Sequence, residues 1–213
     1  MPTIEVRAVS RGMPVDDLVA HDEGGTAAAA QALATLLPGT TCEHVATGTW
    51  ATPRHESFHQ VLVSTYGDTT MLMASPVPRV VVPEGMTTFS LSYQTVSMAY
   101  GVDVSGPRFE RTIALSPGVL DYAEGAPLPF EAAFPRAAEE STTYSFDQGA
   151  FAAAAGDWMF GCHPLELDSE HRVDLRGQPL HTFTLTAAPA PAPAAQPTTK
   201  PRRGGLLGLF QHR

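Results

Sequence analysis

His55, Glu56 and His59 stand in the order of a zinc hydrolase's H-E-x-x-H core. That chemistry requires a helix. Only a helical turn sets residues i and i+4 on one face, where both imidazoles reach one zinc and the glutamate activates its water. On a strand the two histidines stand roughly 13 Å apart at about 3.3 Å per residue. Pro53 precedes the motif, and Gln60-Val61-Leu62-Val63-Ser64-Thr65-Tyr66 follows with dense β-branching. The local sequence therefore predicts a polar loop entering a strand, and no third histidine follows at the metzincin spacing. Cys42-Glu43-His44 and Cys162-His163 pool into a metal site only if the fold joins them, and neither has C-x2–4-C spacing. An imidazolium beside Cys162 would also favour a reactive thiolate, but packing is the better reading. Gly24-Gly25-Thr26 opens a helix whose free N–H groups suit an anion. It follows no strand and has no lysine partner, so it is neither a P-loop nor a dinucleotide fingerprint.

A different chemistry sits at the far end of the sequence. Residues 187–203 place prolines among alanines, which predicts a semi-rigid extended linker. Beyond it Leu206, Leu209 and Phe210 share one side of a helical turn, flanked by Leu207. Gly204, Gly205 and Gly208 weaken that turn, so the peptide alone is expected to be disordered. Arg202, Arg203 and Arg213 bracket it. This pattern suits docking onto a protein groove. Contact with an anionic membrane surface is the less favoured alternative, because so short an amphipathic piece holds lipid weakly.

The elements that must position these residues are legible as period and punctuation. Residues 3–9 alternate and predict a strand. A helix is expected over Pro14–Val19 and another over Thr26–Leu37, stopped by Pro38-Gly39. Ser57–Tyr66 and Thr69–Ala74 flank Gly67-Asp68, a hairpin signal. Thr87–Tyr100 reads as a strand-like run. Gly101–Val104 and Phe109–Ser116 form a second hairpin, with Val102, Val104, Ile113 and Leu115 on its buried face. Leu128-Pro129-Phe130-Glu131 reads as extended. Asp147–Met159 reads as a helix capped by Ser145 or Asp147. Thr182–Thr186 closes the series as a strand. The class is α+β: a largely antiparallel sheet with two or three helices and a Pro/Ala-rich tail. The divisions expected are a single domain over 1–186, a linker over 187–203 and a short apolar-basic peptide over 204–213.

Charge narrows the functions. The 213 residues carry thirteen basic and twenty-two acidic side chains, net −9. Four of the basic ones, Lys200, Arg202, Arg203 and Arg213, lie in the tail, which leaves the body strongly acidic. An acidic body repels phosphate backbones, so nucleic acid is not an expected partner. No apolar run is long enough to span a bilayer, and no secretory signal is visible at Met1–Glu5. Two isolated cysteines suit a reducing cytoplasm.

The segment from about Ser97 to Ala133 resembles an uncharacterised actinobacterial family, a domain of unknown function. The resemblance rests on Met98-Ala99-Tyr100-Gly101-Val102, on Arg108 to Ser116, on Leu115-Ser116-Pro117-Gly118 and on Pro127 to Ala132. Leu36-Leu37-Pro38-Gly39 and Tyr66-Gly67-Asp68 also fit it. It covers most of residues 1–186 and departs at 132–145 and 161–178. It implies a fold and no activity. The expected function is thus a non-enzymatic binding or interaction protein, without a cofactor, docking on a protein partner through Leu206, Leu207, Leu209 and Phe210. The alternative is a small zinc hydrolase with His55 and His59 as ligands and Glu56 as the catalytic base.

Overall fold

The structure is a computed structural model and describes residues 3–20, 23–52, 59–134, 147–165 and 172–187. Nine strands form one sheet: β1 (Thr3–Ser10), β2 (Thr40–Thr49), β3 (Gln60–Tyr66), β4 (Thr69–Ala74), β5 (Thr87–Gln94), β6 (Ala99–Ser105), β7 (Glu110–Ser116), β8 (Val119–Gly125) and β9 (Pro179–Ala187). Their spatial order is β2-β9-β3-β4-β1-β5-β6-β7-β8, and every neighbouring pair is antiparallel. The helices are α1 (Pro14–Ala20), α2 (Gly25–Leu36) and α3 (Gln148–Phe160), with a 3-10 turn at Pro129–Ala133. The class is α+β, as the sequence predicts.

Alternation along the strands sorts the apolar residues onto two faces. On one face, Val6, Ala8, Phe89, Leu91, Val102, Val104, Ile113 and Leu115 pack with Phe151, Met159 and Phe160 of α3 and Val15 and Leu18 of α1. On the other, Val9, Val61, Val63, Leu72 and Phe183 pack under Leu33 and Leu36 of α2. The buried face expected of the second hairpin is observed, with Val102 opposite Ile113.

The helix ends follow their local chemistry. Pro14 opens α1, where its missing N–H costs nothing. The Asp147 carboxylate accepts the Ala150 N–H at 2.9 Å and caps α3. Gly161 ends that helix with φ of 70°, and a Cβ there would meet Val173 and Val15 side chains within 3 Å. Only glycine suits both demands.

Three expectations need correction. Residues 87–100 are two strands, since a turn separates β5 from β6 at Thr95–Met98. Leu128 is extended, but Pro129 starts a 3-10 turn instead of continuing the extended stretch. Proline's fixed φ suits a first helical residue as well as an extended one. Its Glu131 is held by Arg111, whose Nε lies 2.9 Å from Oε1. Strands β2 and β8 are the two sheet edges, and neither is among the strands expected from the sequence.

Candidate functional site

His59 is exposed in the turn leading into β3, and its carbonyl accepts the Leu185 N–H at 2.9 Å. The strand begins at the very next residue. His55 and Glu56 lie outside the described residues, as do Leu206, Leu207, Leu209 and Phe210. Among the described residues no three His, Cys, Asp or Glu side chains gather as a metal site. The two cysteine pairs lie on opposite faces of the sheet: Cys42 packs at the α2 core and Cys162 in the α3 core. Burial pushes the Cys162 thiol up to about 12, with Asp157 and Asp174 adding to the shift. It is therefore a packed, unreactive thiol. The anion at Gly24-Gly25-Thr26 is the protein's own: Gly25 N–H donates to the Glu23 carboxylate at 2.8 Å.

That carboxylate leads to a polar cluster under α2. His181 of β9 is 4% exposed. Its Nδ1 lies 3.1 Å from the Thr26 hydroxyl and 2.9 Å from that of Thr47 on β2. Its Nε2 lies 3.2 Å from Glu23 Oε1. Neither atom makes a hydrogen bond, so the contact is a close approach without hydrogen-bond alignment. The exposed His44 places Nε2 3.1 Å from Thr47 Oγ1. Nδ1 offers one hydrogen-bonding position to the two threonine hydroxyls. The order threonine, histidine, glutamate has the outline of a nucleophile, base and orienting acid. Here, though, two hydroxyls share Nδ1 and the acid is misaligned. The cluster fastens three elements, the start of α2, β2 and β9, to one another. Residues 23, 26, 47 and 181 are too scattered for any motif, and only the pairing of Thr47 with His181 across β2 and β9 unites them.

A second region is concave and open. A cleft of about 360 Å³ is lined by Tyr93, Met98, Tyr100, Pro117, Asp147 and Gln148. Two turns and a helix start build it. The turn between β5 and β6 carries Met98 at φ of 54°, a conformation rare outside glycine. The turn between β7 and β8 carries Pro117-Gly118. Gln148 ties them, donating to the Met98 carbonyl at 2.9 Å and accepting the Gly118 N–H at 3.1 Å. Tyr93 and Tyr100 are cross-strand partners with ring centroids 4.8 Å apart. Tyr100 in turn meets His163 edge-on at 6.3 Å. The result is a pre-formed aromatic floor with an exposed carboxylate, Asp147, at its side. This volume is within the range of small binding clefts. The tyrosines sit inside the strand-like run of the sequence, but nothing there shows that a turn brings them together.

No protein-family model, curated protein or solved structure matches this chain. No helix among the described residues is long and apolar enough to cross a membrane.

Proposed function

We propose that this chain is a non-enzymatic interaction protein of the cytoplasm. The observation that carries this reading is the cleft at Tyr93 and Tyr100. Its aromatic floor is set by backbone pairing, and its rim is braced by Gln148. Tyrosines in such a setting offer wide, stiff contact area at low entropic cost. The C-terminal peptide adds a second binding element, with Leu206, Leu207, Leu209 and Phe210 as anchors for a protein groove. Two free cysteines held on opposite faces fit a reducing compartment. The acidic body suits a protein partner better than a nucleic acid.

The test is affinity capture from the source cells with three baits: the full chain, the full chain carrying Tyr93→Ala, and the full chain carrying Leu206→Asp with Phe210→Asp. A partner retained by the first and lost or depleted with either variant supports the reading. Identical captures with all three baits would overturn it.

A further inference from the structure

We propose that the chain's own segment from about Gln196 to Arg203, which carries Pro197 and Pro201, docks in the Tyr93–Tyr100 cleft. This rests on reading the cleft as a binding site and names its occupant.

Sheet register places the cleft and the end of β9, from which the segment continues, on the same end of the sheet. Thr182, Leu62, Met73, Val6, Leu91, Val102 and Ile113 form one continuous row across β9, β3, β4, β1, β5, β6 and β7. Neighbouring strands alternate in direction. Moving from that row toward the end of β9 is therefore the same as moving toward the end of β5 and the start of β6. Tyr93 lies two residues along in that direction, and Ala187, where β9 ends, lies five. Strand β6 stands five places from β9 in the sheet, which is roughly 24 Å at about 4.8 Å per strand. Ten residues of an extended proline-rich chain, from Ala187 to Pro197, cover roughly 31 Å at about 3.1 Å each. That reach is enough for the stretch Gln196-Pro197-Thr198-Thr199-Lys200-Pro201-Arg202-Arg203 to meet the cleft.

The chemistry matches at both ends. Grooves floored by aromatic side chains take proline-rich segments, whose extended form is pre-set and costs little to order. Tyr93, Tyr100 and Pro117 supply such a floor. Lys200, Arg202 and Arg203 come beside the exposed Asp147 carboxylate, where opposite charge favours the contact. Only the Oδ1 atom of Asp147 is drawn into the helix cap.

Lys200 is the only lysine in the chain, which gives a direct test. The dilute full-length protein is treated with a water-soluble carbodiimide, and the new amide is mapped by peptide mass spectrometry. The expected main product is an intramolecular Lys200–Asp147 link. Its yield should fall at least fivefold in Tyr93→Ala and in the Pro197→Ala, Pro201→Ala variant. Links scattered over Glu43, Asp68 and Glu84, or a yield unmoved by Tyr93→Ala, would overturn the proposal. So would linked dimers that grow with concentration, which mean a second copy supplies the segment. A synthetic peptide of residues 188–213 added to the full chain separates the two readings. Tyr93-dependent binding of that peptide without the internal link means that the cleft takes the segment from another copy, which leaves the cleft a binding site and overturns docking within one chain. No binding and no link removes both.

Discussion

The cluster around His181 and the cleft around Tyr93 use polar and aromatic groups to opposite ends. In the first, a buried imidazole has a threonine hydroxyl on one side and a carboxylate on the other, all from this chain. In the second, a tyrosine pair faces open space, and the polar work of Gln148 is spent on bracing the rim. Arg111 and Glu131 belong with the first kind. The guanidinium is 3% exposed and makes a two-pronged contact with the carboxylate, while Nη1 donates to the Gly125 carbonyl at 2.7 Å. Polar groups packed against one another inside a protein hold the fold. Groups arranged around an opening present a surface to whatever enters it.

If that contrast is right, the largest loss of stability at neutral pH comes from breaking the closed pair at Arg111. Glu131→Ala leaves a guanidinium that cannot shed its proton in a buried place. The expected cost is about 3–5 kcal/mol, measured by urea unfolding. Glu131 also accepts the Leu128 N–H at 2.7 Å, so the 3-10 turn loosens with it. A loss below about 1 kcal/mol would show that water reaches Arg111 and that the pair is not closed.

The next effect appears in alkali. Burial pushes both the Cys162 thiol and the Tyr66 hydroxyl up to about 12, the latter opposed by the neighbouring Trp50 and Ser64 side chains. In the unfolded chain these groups ionise near 9 and 10. Between those values and about 12 the unfolded state has lost protons that the native state keeps, so stability falls as pH rises. Each unit of difference corresponds to about 1.4 kcal/mol. The melting temperature should hold up to about pH 9 and then drop, and Cys162→Ala with Tyr66→Phe should flatten the drop. An unchanged slope in the double variant would mean that other groups govern alkaline unfolding. By the same burial, a thiol reagent at neutral pH should label Cys42 before Cys162 in the native protein.

The His181 cluster is expected to matter less than the arginine pair. His181→Ala removes the ring nitrogen that lies within hydrogen-bond distance of both Thr26 and Thr47 and leaves Glu23 with the Gly25 N–H. The expected cost is about 1–3 kcal/mol. Hydrogen exchange should rise first at the start of α2, the end tied down by this contact. Faster exchange confined to α3 would place the cluster's role elsewhere.

How much of this is legible in the sequence depends on burial. Val102, Val104, Ile113 and Leu115 alternate because one face of their strands is wholly covered, and that hairpin was readable. The Asp147 cap and the Pro14 start were readable because capping is chemistry within a few residues. Strand β8, Val-Leu-Asp-Tyr-Ala-Glu-Gly, is exposed along its whole length and therefore has no apolar period to read. Strand β2 is an edge as well, with a register shift between His44 and Ala46 that breaks any alternation. Glu23 and His181 meet only because the last strand is inserted between β2 and β3, a crossover that no local pattern announces. Tyr93 and Tyr100 looked like members of one strand, since the turn at 95–98 carries valine and methionine and no glycine or proline.

The smallest effect on stability, and the sharpest test of the contrast, belongs to Tyr93. Its ring is half-buried and stacks on Tyr100, whose own ring continues into the core through His163. Removing the outer ring of a stacked pair forfeits about 0.5–1.5 kcal/mol and opens no closed cavity, because the cleft already faces solvent. Tyr93→Ala should therefore melt within a few degrees of the parent protein while losing whatever the cleft binds. Tyr100 is the opposite case: it lies opposite Leu115 and is packed against the α3 core, so Tyr100→Ala should lower stability and binding together. Measured side by side by thermal unfolding, the two tyrosines divide the cleft into a floor that belongs to the fold and a face that belongs to the ligand. If Tyr93→Ala proves as destabilising as Tyr100→Ala, the cleft is one more part of the core and the contrast with His181 disappears.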